Sequence, residues 1–175
     1  THFPKCLRTP QPVPVLKMLD RLLPEHLGFS FEVEQLPEGL EGYTHFAGRI
    51  VTLSANTYAR LEENDGRSRF TAAHELGHVL LHTDELSWTT SEHVSHSPQQ
   101  AVILARRSQI KPYRDPEWQA DTFAASLLMP EAMVRRVASL RTLRGGLVNI
   151  VVQKFGVSQA AATKRLEKLG ITTMQ

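Results

Sequence analysis

His74 and His78 stand four residues apart with a carboxylate between them, in the run His74-Glu75-Leu76-Gly77-His78. On a helix, residues four apart differ by about 40° around the axis, so both imidazoles leave the same face and can share one ion. Glu75 is rotated off that face by its single-residue step. It is placed to take a proton from a water beside the ion and is not itself a ligand. The helix around the motif is otherwise apolar, with Phe70, Ala73, Leu76, Leu80 and Leu81 expected to form the stripe. Burying two histidines and a glutamate in such a stripe without a partner would cost several kcal/mol. The plainer alternative is a pair of solvent-facing histidines on an amphipathic helix. The apolar neighbours argue against it.

A catalytic zinc site needs a third protein ligand and an open fourth position. His82 continues the same face, but ligands at i, i+4 and i+8 of one straight helix span about 12 Å, too far for one ion. It fits better as a residue that supports the site or the helix end. His93 and His96 lie in a polar stretch and remain candidates. Glu117 opens a second predicted helix, with Asp121 following at i+4 on its face. That pair offers a ligand carboxylate and a second carboxylate able to accept an imidazole N–H, which would orient a metal-bound histidine. Spacing alone leaves Glu117 open between this part and that of an exposed acid favoured by the helix dipole.

The elements that must hold these residues follow from patterning. Pro4, Pro10, Pro12 and Pro14 make residues 1–14 an extended arm. Leucines at helical spacing predict a helix from Val15 to a stop at Gly28. Phe29, Phe31 and Val33 alternate as a strand, and residues 43–46 and 49–53 form two more, joined through Ala47-Gly48. A short helix follows over 55–63. The motif helix runs from Ser68, its expected N-cap, to His82. Residues 83–110 are a long polar excursion with helix around 101–107, of the kind that often carries function. Asp115 caps the second motif helix, Pro116 is its N1 residue, and Pro130 ends it. Helices at 131–140, 146–155 and 159–169 close the chain. Residues 15–175 therefore read as one domain, with 131–175 a helical C-terminal subdomain.

That subdomain is basic, with eight Lys/Arg against Glu131 and Glu167, while residues 1–130 carry a net charge of −4. A single cysteine, Cys6, excludes an internal disulfide and a thiolate zinc site and suits a reducing compartment. With no apolar run of bilayer length and no opening signal-peptide pattern, the expectation is a cytoplasmic protein without membrane association.

Two stretches together carry a family resemblance. Arg69-Phe70-Thr71-Ala72-Ala73-His74-Glu75-Leu76-Gly77-His78 and Glu117-Trp118-Gln119-Ala120-Asp121-Thr122-Phe123-Ala124 resemble the ImmA/IrrE metallopeptidases. The closing Phe155-Gly156-Val157-Ser158, with Arg165-Leu166 and Leu169-Gly170, is also similar to that family. The resemblance implies an α+β, zincin-like fold, mostly helical with a small, about three-stranded sheet and a helical C-terminal segment. It implies one Zn2+ ion on His74, His78 and Glu117, with Asp121 behind a ligand histidine and Glu75 catalytic. It further implies a protein substrate, a helix-turn-helix transcriptional repressor, cut in stress response or mobile-element regulation. The stretch from His82 to Glu117 is longer than in compact members.

The expected chemistry is metal-assisted peptide hydrolysis. Tyr43, His45, Tyr58, His82 and Tyr113 are candidates to stabilise the oxyanion, and residues 49–53 could offer a strand edge to an extended substrate. Two competing functions remain. The tail from Val148 to Gly170 has the outline of a DNA-binding helix-turn-helix, with Lys164, Arg165 and Lys168 on its second helix. The chain could also sequester a repressor without cutting it, its metal being purely structural.

Overall fold

The computed structural model describes residues 8–86, 90–91, 114–139 and 146–171. Cys6, His93, His96, Tyr113 and the helix expected over 101–107 lie outside them. The chain begins with helix α1, which starts as Val15–Lys17 and continues in wide π winding over Met18–Leu27. Gly28 ends it in the left-handed conformation, its N–H bonded to the Leu23 carbonyl five residues back. The strands are β1 (Ser30–Glu34), β2 (Gly42–His45) and β3 (Ile50–Ser54). Helices α2 (Ala55–Glu62) and α3 (Gly66–Leu86) follow. After the two-residue strand β4 (Thr90–Ser91) come α4 (Pro116–Leu128), α5 (Glu131–Ala138), α6 (Leu147–Phe155) and α7 (Gln159–Lys168).

The expected α+β class and its three strands are present. β3 lies in the middle, parallel to β1 and antiparallel to β2, and β4 adds two residues to the outer side of β2. Residues 49–53 therefore cannot offer a free edge, because both sides of that strand are already hydrogen-bonded. The alternation of β1 also buries less than its pattern suggests: Phe29 is enclosed ahead of the strand, Phe31 is half-buried and Val33 is exposed. As an edge strand β1 has only one neighbour to cover its side chains.

One apolar cluster runs from Val13 and Leu19 through Val51, Leu53, Ala73 and Leu76 to Leu128, Val151 and Leu166. Leu80 and Leu81, expected in the α3 stripe, stand 43% and 45% exposed. The stripe is carried instead by Ala72, Ala73, Leu76 and Val79. The N-cap of α3 is Asp65, not Ser68: its carboxylate accepts from the Ser68 N–H at 2.8 Å and from the Ser68 hydroxyl at 2.9 Å. These bonds hold the Asp65 carboxyl below its usual range. A depressed pKa contributes stability above pH 3.8 and loses it as pH falls through the folded value. Asp65→Ala should cost about 1 kcal/mol in urea unfolding at neutral pH, and less in acid.

Buried arginines join the ends of the fold. Arg69 on α3 donates to the Gly156 carbonyl through Nε and to the Val13 carbonyl through Nη2, both at 2.8 Å. Arg165 on α7, 7% exposed, donates to the Met129 carbonyl at the end of α4. Lys168 sits over the Trp118 ring at 4.7 Å and donates to Thr122 Oγ1 at 3.1 Å. Of the three basic side chains expected on a DNA-reading helix, Arg165 is buried against the end of α4, Lys168 leans on α4 while remaining exposed, and Lys164 is exposed.

Candidate metal centre

The site is made where α3 crosses α4, and small residues allow the crossing. Ala120 and Ala124 on α4 are fully buried. A Cβ added at Gly77 would meet Phe123 Cδ1 at 3.0 Å and the Ala120 backbone at 3.2 and 3.3 Å. The third and fourth positions of the histidine motif are therefore packing positions. Leu76 enters the core, and Gly77 lets α4 approach.

That approach brings Glu117 to the two histidines. His74 Nε2 lies 3.3 Å from Glu117 Oε2 and His78 Nε2 lies 3.4 Å from Glu117 Oε1. The two Nε2 atoms are 2.9 Å apart. All three donor atoms fall within 4.8 Å of one another and could hold a metal ion. A tetrahedral zinc site with bonds of about 2.0–2.1 Å has donors roughly 3.3 Å apart, so the two nitrogen–oxygen separations fit the ion. The donor set, two imidazoles and a carboxylate, also suits zinc.

The residues around these three fix their orientation. Asp121 Oδ1 lies 2.9 Å from His74 Nδ1 and accepts its proton, which directs Nε2 into the site. His82 is 1% exposed and its Nε2 lies 3.2 Å from the Pro116 carbonyl. A carbonyl only accepts, so His82 carries its proton on Nε2 and ties α3 to the backbone just ahead of Glu117. Asp115 caps α4 by accepting from the Glu117 N–H at 3.0 Å. Glu75, 2% exposed, accepts from Thr44 Oγ1 at 2.7 Å. Thr44 gave no signal in the sequence, because its contact joins β2 to α3 across 31 residues.

The same bond sorts the oxyanion candidates. Side chains alternate along β2, so with Thr44 turned to Glu75, Tyr43 and His45 point to the other face of the sheet. Tyr58 packs against Phe31, their rings 6.1 Å apart, and His82 is committed to Pro116.

Electrostatically the centre asks for a cation. Burial, the largest influence on His74, disfavours its charge, yet Asp121 and Glu117 with the Glu75 charge push its pKa up to about 10. In the metal-free protein His74 is thus protonated at neutral pH. A raised pKa contributes stability that is complete below about 6.5 and lost as pH rises through about 10. A metal ion must displace that proton. Calorimetric zinc titrations in buffers of different ionisation enthalpy should show about one proton released near pH 8, and affinity increasing with pH up to about 10.

The model of the peptidase family described as IrrE N-terminal-like domain matches residues 59–167. The match covers α3, α4, α5, α6 and nearly all of α7. The chain belongs to this family. Among solved structures it is similar to a Mycobacterium tuberculosis transcriptional regulator, with a TM-score of 0.55 and 17% sequence identity. The alignment covers 87% of this chain and 40% of that one, so the chain spans less than half the length of that structure. At this identity the likeness is one of fold. No curated protein matches the sequence. Among the described residues no helix is long and apolar enough to cross a membrane.

Proposed function

We propose that the chain is a zinc-dependent endopeptidase that cuts a protein substrate, with His74, His78 and Glu117 as ligands and Glu75 as general base. The observation that carries this reading is the convergence of two imidazole nitrogens and a carboxylate from separate helices, beside a buried Glu75. When bound, zinc supplies Lewis acidity, lowering the pKa of a water and polarising the scissile carbonyl. Glu75 takes the water's proton and passes it to the leaving amine. The Thr44 hydroxyl on Oε2 fixes the carboxylate and leaves Oε1 to accept that proton. Asp121 keeps His74 in the tautomer that can ligate, and His82 holds the start of α4 and with it Glu117.

The substrate we propose is a helix-turn-helix transcriptional repressor, cut in stress response or mobile-element regulation in the cytoplasm. Membership of the peptidase family and the likeness to a transcriptional regulator support that direction. The burial of Arg165 against the end of α4 favours a proteolytic over a DNA-reading part for the C-terminal helices.

Elemental analysis tests the ligand set. Zinc close to one ion per chain is expected in the wild type and its loss in His78→Ala and Glu117→Ala. Zinc retained in Glu117→Ala would remove Glu117 as the third ligand. A wild type that takes up no zinc when supplied with it would overturn the enzyme reading.

A further inference from the structure

A cavity of about 520 Å³ opens between α3, α4 and α7, next to the metal centre. Its position follows from the helix faces. Thr71 lies one turn ahead of His74, and Asp121, which holds the His74 ring, is a shared wall of the cavity and the centre. The floor is apolar, with Phe70, Ala125 and Ala161, and Trp118 stands 40% exposed at its side.

The charges around it are uneven. Arg67, Lys164, Arg165 and Lys168 line the cavity against one carboxylate, Asp121, which is bonded to His74. Arg67 pairs with Glu41 at 3.0 Å, and Arg165 is turned to the Met129 carbonyl. Lys164 is exposed and makes no ion pair among the described residues. Lys168 is held over Trp118 by the ring and Thr122, with no carboxylate partner among the described residues. An aromatic face with a fixed ammonium above it, an apolar floor and a second free ammonium suit a chain segment that combines an apolar side chain with carboxylates.

We propose that this cavity is a substrate subsite, receiving an acidic segment of the protein substrate whose apolar side chain seats on Phe70 and Trp118. The proposal rests on the peptidase reading of the adjoining centre. In it, Lys164 and Lys168 are specificity residues, and the basic C-terminal helix contributes to substrate choice, not to DNA reading.

Binding separates this claim from hydrolysis. Two fluorescein-labelled decapeptides are compared by anisotropy on the zinc-loaded Glu75→Gln chain, which cannot cut them. One contains leucine, serine and glutamate; the other has glutamine for each glutamate. The acidic peptide should bind about tenfold more tightly at low salt, which is what two exposed charge pairs supply, and lose the advantage at high salt. Lys164→Gln/Lys168→Gln should abolish the preference. Lys164→Glu alone should reduce it while leaving the unfolding midpoint unchanged, since the Lys164 side chain is exposed and makes no ion pair among the described residues.

Equal affinity for the two peptides, or a preference that survives in the double variant, would overturn the subsite. So would a single-stranded oligonucleotide of equal charge that displaces the acidic peptide more effectively than unlabelled peptide does, which would assign the surface to nucleic acid. Absence of hydrolysis by the wild type would count against the peptidase reading while leaving a charge preference in binding intact.

Discussion

Glu75→Gln should retain one zinc ion per chain and lose about 10²–10⁴-fold in cleavage rate. The amide keeps the shape of the carboxylate and can still accept from Thr44 through its oxygen, so packing around α3 is preserved. It cannot take a proton from water. Glu75 is not among the three converging donors, and its Oε2 is turned to β2. Metal content and catalysis should therefore separate in this variant, whereas both fall together in His78→Ala. The measurement is elemental analysis beside cleavage of a candidate repressor by gel electrophoresis. Full activity in Glu75→Gln would exclude Glu75 as the base. An unchanged regulatory effect in a chain shown not to cut would point to sequestration with a structural metal.

Gly77→Val should damage the centre without touching a ligand. Even a Cβ at position 77 meets Phe123 and the Ala120 backbone at 3.0–3.3 Å, and valine adds two methyl groups directed at α4. The Ala120 backbone cannot rotate away as a long side chain would, so the helices must separate. Overpacking of this kind costs about 1–3 kcal/mol. The separation also carries Glu117 away from His74 and His78, now 3.3 and 3.4 Å from its oxygens. Zinc affinity should fall at least about tenfold, as when the surroundings of a metal ligand are disturbed. Thermal unfolding with and without zinc, and competition with a chelator, measure the two effects. Wild-type affinity in Gly77→Val would mean that the spacing of α3 and α4 does not set the site.

Both expectations bear on how much could be read from residues alone. The histidine motif was legible because its geometry is local: four residues on a helix place two rings on one face whatever lies around them. The bounds of α4 were legible for the same reason, since Asp115 and Pro116 act within one turn. Gly28, Gly156 and Ser158 likewise mark their helix ends. Expectation and structure differ where a choice depends on distant chain. Asp65 and Ser68 are both good caps by type, and the start of α3 at Gly66 decides between them. A Cβ at Gly66 would lie 2.4 Å from the backbone of Val157 and Ser158, so this first turn is held against the α6–α7 turn. Leu80 and Leu81 fit a stripe by periodicity, but they stand on the outer side of a turn whose inner side is filled by the buried Val79 and His82, the latter bonded to Pro116 of α4.

The sequence by itself determined the presence of a two-histidine face, the carboxylate beside it and the order of helices and strands, because these depend on side-chain type and on spacing within a few residues. Tertiary structure decided which carboxylate would join the histidines, which hydroxyl would hold Glu75, and where the basic tail would turn its charges. Each is a meeting of segments from 31 to 46 residues apart. The first of these depends on how closely two helices can pack, and that closeness comes from Gly77 and Ala120, which carry almost no side chain.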